Sequence, residues 1–162
     1  MRKFIVQALV AAEISDAYGC ANLSMPGLDA RMWRRYALDV VKHSKKKSGI
    51  LVIRRMTRAH ICGLVSYRCE IDLHAGPVLQ AYDLSAIDML DPKPILSALL
   101  DSLTGLAHRS HCGMIRIVLP DREQDRTSLF AMLTQLRQHL VLEPRFDVDW
   151  TLHESAESVV FI

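Results

Sequence analysis

The hydrophobic pattern changes period several times along the chain. Residues 30–46, ARMWRRYALDVVKHSKK, place Met32, Trp33, Tyr36, Ala37, Val40 and Val41 on one helical stripe, with Arg34, Arg35, Asp39 and Lys42 away from it. Asp29, just before this run, is a suitable N-cap. Upstream, residues 3–10, KFIVQALV, read as a strand. Residues 13–24 read as a weaker helix with Ile14, Ala17, Tyr18 and Ala21 at helical spacing, and SMPGLD breaks the chain after it. Residues 50–56, ILVIRRM, are a strand, and TRA makes a short connection. Residues 60–72 then alternate, with Ile61, Gly63, Val65, Tyr67, Cys69 and Ile71 on one face and Cys62, Leu64, Ser66, Arg68 and Glu70 on the other. The shortness of the connection makes this pair antiparallel.

HAGP interrupts the pattern, and residues 78–88, VLQAYDLSAID, form a further strand. Ile95, Leu96, Leu99, Leu100, Leu103, Leu106 and Ala107 make the apolar face of a second long helix, with Gly113 marking its exit. MIRIVLP reads as a buried strand ended by Pro120. Residues 127–142 form a last helix that turns Leu129, Phe130, Leu133, Leu136 and Leu140 inward. RFDVDWTL and SVVFI are strands joined through HESAE. The order is β α α β β β α β α β β. Antiparallel strands come first, and a right-handed crossover then makes strands 78–88 and 114–119 parallel. The economical arrangement is an α/β single domain, a mixed central sheet with helices on both faces.

Composition narrows the function classes. The 162 residues suit one domain, and 20 basic against 18 acidic side chains do not suggest a nucleic-acid partner. The basic run KHSKKK, residues 42–47, reads as a solvated helix end, with an anionic partner as the alternative. MRKFIVQALVAA has the outline of a signal peptide, but Gln7 interrupts its apolar run and Glu13 and Asp16 follow at once, so a strand is the better reading. No apolar stretch is long enough to span a bilayer. Cys20, Cys62, Cys69 and Cys112 are scattered without a C-x-x-C, which points to reduced thiols and a cytoplasmic location. They also lack the pattern of an activated nucleophile. His60 with Cys62, and His108 with His111 and Cys112, are the nearest approaches to a metal site; neither has zinc spacing, and no metal is expected.

One stretch carries a family resemblance. LSAIDMLDPKPILSALLDSL, residues 84–103, is similar to the central strand, turn and helix of the GNAT acyltransferases, with Ser97-Ala98-Leu99-Leu100 at the helix start. Phe146 stands where family members often carry Gly-Phe before a terminal hairpin, with Arg145 in place of the glycine. The element order matches the same family over nearly the whole chain. The resemblance implies acyl transfer from acetyl-CoA or another acyl-CoA to a small-molecule or protein amine, and a homodimer is compatible with it. It implies coenzyme contacts from Lys93, Ser97 and the backbone N–H groups of Ile95 and Leu96, and thioester contacts from the backbone around Ser85 to Ile87. It implies a carboxylate base near the central strand, for which Asp83, Asp88 and Glu70 are available. Asp83 is the first choice, and Asp88, five positions on, faces the other side of an ideal strand. The family's tyrosine acid has no counterpart on the last helix, where Phe130 stands; Tyr82 substitutes for it only if its side faces the cleft, and a core tyrosine is the alternative.

The turn departs from the family. Where it carries R/Q-x-x-G-x-G/A, this chain has DPKPIL: Pro92 and Pro94 lack an N–H, Leu96 adds bulk, Asp91 adds a negative charge and Lys93 is the local cation. A chain that binds no coenzyme, a ligand-binding or interaction module on the same fold, is therefore an equal reading.

Overall fold

The computed structural model describes residues 4–43, 47–119, 123–137 and 158–161. The elements are β1 (Phe4–Ala8), α1 (Ile14–Ser24), α2 (Ala30–His43), β2 (Ser48–Arg55), β3 (Ile61–Asp72), β4 (Gly76–Ala86), α3 (Lys93–Arg109), β5 (Met114–Val118), α4 (Glu123–Arg137) and β6 (Ser158–Phe161). The strands form one six-stranded sheet in chain order. All neighbours are antiparallel except β4 and β5, which the α3 crossover makes parallel. The fold is α/β, as the element order predicts. The expected strand at residues 145–152, the Arg145–Phe146 pair and Leu140 lie outside the described residues.

Helices cover both faces of the sheet. Leu96, Leu99, Leu103 and Ala107 of α3 and Leu129 and Leu133 of α4 pack on one face against Val65, Tyr67, Leu79, Ile115 and Ile117. Ala17 and Ala21 of α1 and Trp33 and Ala37 of α2 pack on the other, against Ile50, Val52 and Leu64. Asp29 caps α2 as expected, accepting from the Arg31 N–H at 3.2 Å. Trp33 Nε1 donates to the Ile14 carbonyl at 2.7 Å and ties the two helices together. Met32, placed on the buried stripe by periodicity, is instead 64% exposed; Trp33 and Ala37 are the buried residues of α2, with Tyr36, Leu38, Val40 and Val41 partly buried beside them.

Two irregularities break the alternation read along β3 and β4. Ile53 pairs with Gly63 but Arg54 with Ile61, so Cys62 is an extra residue. Ile61 consequently joins the α1/α2 core while Val65 and Tyr67 join the α3 core. Seven consecutive residues of β3, from Ile61 to Tyr67, are buried, because helices cover both sides of this central strand. Ile71, at the strand's far end, is exposed. The second irregularity lies between β3 and β4, at the site described next.

The exit of α3 also differs from expectation. His111, not Gly113, takes the left-handed conformation, at φ 56°. The Cys112 N–H bonds to the Ala107 carbonyl at 2.9 Å and the His111 N–H to the His108 carbonyl at 3.1 Å, which is the Schellman pattern. All four cysteines are free thiols. Among the described residues no helix is long and apolar enough to cross a membrane, and no three metal-ligating side chains converge.

Candidate active site

β4 and β5 pair only from Val78 with Met114 to Ala81 with Ile117. Beyond Ala81, β4 stays paired with β3 and leaves β5. A cleft of about 550 Å³ opens in that gap. Its floor is Tyr82, Asp83, Leu84, Ser85 and Ala86 of β4; its walls come from β5, from α4 and from Leu96 in the first turn of α3. The α1–α2 connection closes one side with Met25 and Pro26, and the Tyr18 hydroxyl pins that connection by donating to the Leu28 carbonyl at 2.9 Å.

The second irregularity shapes the floor. Ser66 pairs with Tyr82 and Leu64 with Ser85, so Asp83 and Leu84 together oppose Val65. This is a β-bulge, and Asp83 adopts φ 55° within it. An aspartate tolerates that conformation better than most side chains. The bulge puts two consecutive side chains on the α1/α2 side of the sheet. Tyr82 and Asp83 both meet Tyr36 of α2, and Asp83 also meets Ser66. Ser66 is fully buried, and its Oγ accepts from the Tyr36 hydroxyl at 3.0 Å.

These contacts set the electrostatics. Burial pushes the Asp83 carboxyl above its ordinary value, and the hydroxyls of Ser66 and Tyr36 partly oppose this by bonding its charged form. Burial likewise pushes the Tyr36 phenol up. The cleft lining contains two carboxylates, Asp83 and Asp125, and among the described residues no Lys, Arg or His. An ammonium is the ion such a lining attracts, and a buried carboxylate with a raised pKa can take its proton.

The other carboxylates named from the sequence lie elsewhere. Asp88 forms an ion pair with Arg55, and its Oδ1 accepts from the Leu90 N–H at 2.9 Å. It holds the β4–α3 connection together. Glu70 is exposed, 3.7 Å from Arg68. Cysteine chemistry has no support here: burial pushes the Cys20 thiol up to about 11, and its Sγ lies 3.4 Å from Ser85 Oγ. Ser85 thus packs against α1 at the cleft floor. The Ile87 N–H bonds to the Cys62 carbonyl at 2.8 Å, so it is not open to a ligand.

The turn before α3 is tightly self-bonded. The Lys93 N–H donates to Asp91 Oδ1 at 3.0 Å. The Ile95 and Leu96 N–H groups both point to the Pro92 carbonyl, each at 3.1 Å. Pro92 and Pro94 have none to offer. Ile95 and Leu96 are buried, Lys93 and Ser97 half-buried. Tyr82, Asp83, Ser85 and Leu96 are thus gathered around the cleft, whereas Ile87 and Ile95 are not among its lining residues. Sequence reasoning missed Tyr36 and Ser66, because a tyrosine on an amphipathic stripe and a serine in an alternating strand look like ordinary packing positions.

No family's sequence profile matches the chain, and no curated protein matches it. Solved structures do. A GNAT-family acetyltransferase from Streptococcus pneumoniae superposes with a TM-score of 0.60 at 10% identity, over 98% of this chain and 96% of that one. The ribosomal-protein-alanine N-acetyltransferase of Brucella melitensis biovar Abortus 2308 gives 0.63 at 14% identity, over 80% and 90%. The aminoglycoside N-acetyltransferase AAC(6')-Iy in complex with CoA gives 0.65 at 9% identity, over 86% and 88%. At these identities it is the backbone fold that is shared: the chain has the fold of the GNAT acetyltransferases.

Proposed function

We propose that this protein transfers an acyl group from a thioester to a primary amine, on a small molecule or a protein, with Asp83 as the base. The observation that carries this reading is the bulge that brings Asp83 and Tyr82 together on the floor of the β4–β5 cleft. The amine arrives as its ammonium, drawn by a lining that holds Asp83 and Asp125. Asp83 takes one proton, and the nitrogen attacks the thioester carbonyl. The C–N bond forms and the C–S bond breaks; the nitrogen gives its second proton to solvent, the thiolate takes one from Tyr82 or solvent, and Tyr82, where it donates, is reprotonated from solvent. The β5-facing edge of β4 beyond Ala81, without a ladder partner in β5, is where backbone N–H groups would polarise the carbonyl. Reduced cysteines fit a cytoplasmic enzyme.

Coenzyme A does not fit the turn before α3, where the backbone donors are absent or internally bonded. That observation favours a second reading, a non-catalytic ligand-binding or interaction module on the same fold. Thiol release from a thioester, followed with a thiol-reactive dye across a panel of primary amines, separates the two. Amine-dependent release that Asp83→Asn abolishes supports the enzyme. Thioester binding without release for every amine supports the module.

A further inference from the structure

We infer that the acyl donor is a thioester recognised without a pyrophosphate, an acylated pantetheine-like arm rather than a nucleotide-bearing coenzyme. The inference rests on the acyl-transfer reading and names the donor class for that cleft.

Three independent features of the cleft and of the turn before α3 agree. First, the start of α3, whose Leu96 lines the cleft, presents no open backbone donor from residue 92 to 96. Pro92 and Pro94 have no N–H, Lys93 is bonded to Asp91, and Ile95 and Leu96 are bonded to the Pro92 carbonyl. A phosphate at a helix start is held by such donors. Here they would have to be released first, at the cost of breaking the bonds that build the turn. Second, charge opposes a polyanion. Asp91 stands exposed at the turn, Asp83 and Asp125 line the cleft, and the nearby Arg55 is paired with Asp88. Lys93 is the only cation in residues 88–97. Third, Met89 and Leu90 beside the turn are essentially fully exposed, at 101% and 96%. They offer an apolar surface to a neutral arm, where a nucleotide diphosphate calls for donors and cations. The transfer itself is unchanged by the choice of donor: the acyl carbon exchanges its C–S bond for a C–N bond, and the arm leaves as a free thiol.

The test compares S-acetylpantetheine with acetyl-CoA on the whole protein, by calorimetric titration and by amine-dependent thiol release. Two charge-assisted hydrogen bonds to a pyrophosphate would favour acetyl-CoA by about 100-fold, about tenfold each. The expected result is affinities and kcat/KM values within about threefold of each other, unaffected by Lys93→Ala. A combined Asp91→Gln, Pro92→Gly and Pro94→Gly variant is expected to gain preference for acetyl-CoA. A preference of the unmodified protein for acetyl-CoA above about 30-fold, lost in Lys93→Ala, overturns the inference and leaves acyl transfer standing. Binding of neither thioester overturns both.

Discussion

The Tyr36 hydroxyl donates to Ser66 Oγ at 3.0 Å, and this pair, one partner on α2 and the other on β3, reaches the carboxylate of Asp83. A base in such a setting has a raised pKa, which has two measurable effects. Asp83→Asn is expected to lower kcat by about 10²–10⁴-fold, the usual worth of a general base. The substitution is also expected to stabilise the protein near neutral pH. A carboxyl raised above 3.8 by burial adds stability below that value and loses it as pH rises through the folded pKa. Asparagine escapes the loss. Melting temperature against pH checks this: the variant should gain near neutrality and not at pH about 4.

Tyr36→Phe tests the support rather than the base. It removes one of the two hydroxyls that favour the charged carboxylate, so the Asp83 pKa should rise further. The acid limb of the kcat/KM profile should move to higher pH. A loss of activity with an unmoved limb would assign Tyr36 to packing alone.

Gly63 of β3 lies against β2, β4 and α3 at once. A Cβ there would lie 2.6 Å from Ile53 Cγ2, 2.8 Å from Ile95 Cγ2 and 2.8 Å from the Ser85 carbonyl oxygen. The last atom is backbone and cannot swing away. Gly63→Ala is expected to cost about 1–3 kcal/mol in urea unfolding, the usual range for an overpacked core.

His111→Gly should do the reverse. A side chain at φ 56° carries about 1–2 kcal/mol of strain. Glycine removes it, partly offset by its greater freedom in the unfolded chain. A net gain of about 0.5–1 kcal/mol is expected.

Asp72 closes the β3–β4 turn. It accepts the His74 N–H at 2.8 Å and the Ala75 N–H at 3.0 Å, and pairs with Arg116 at 3.1 Å. Those bonds lower its carboxyl to about 2. Its stabilisation is therefore present above 3.8 and lost as pH falls through about 2. Asp72→Asn should flatten the acid limb of stability over that interval.

Over the described residues the element order, the antiparallel start and the parallel crossover were legible because hydrophobic period and connection length determine them. Proline at 92 and 94 was legible too, since a missing N–H is a property of the residue itself. The bond from Asp91 to the Lys93 N–H was not, because it depends on a side-chain rotamer. The two bulges were invisible for a different reason. Each adds one residue to one strand, and an alternation read from sequence assumes that none is added. Hence strict alternation puts Ile61 on the wrong face and sets Tyr82 and Asp83 on opposite sides of β4.

The short pairing of β4 with β5 divides one strand into two dynamic regimes. From Val78 to Ala81 the strand has hydrogen-bonded neighbours on both sides; from Tyr82 it keeps only β3. Amide exchange should register that division within a single strand. Protection should be even along the first stretch and uneven along the second, where the amides not bonded to β3 face the gap. A ligand that bonds to this edge should slow only the gap-facing, fast-exchanging set. The exchange map would then report where a thioester carbonyl lies without requiring turnover.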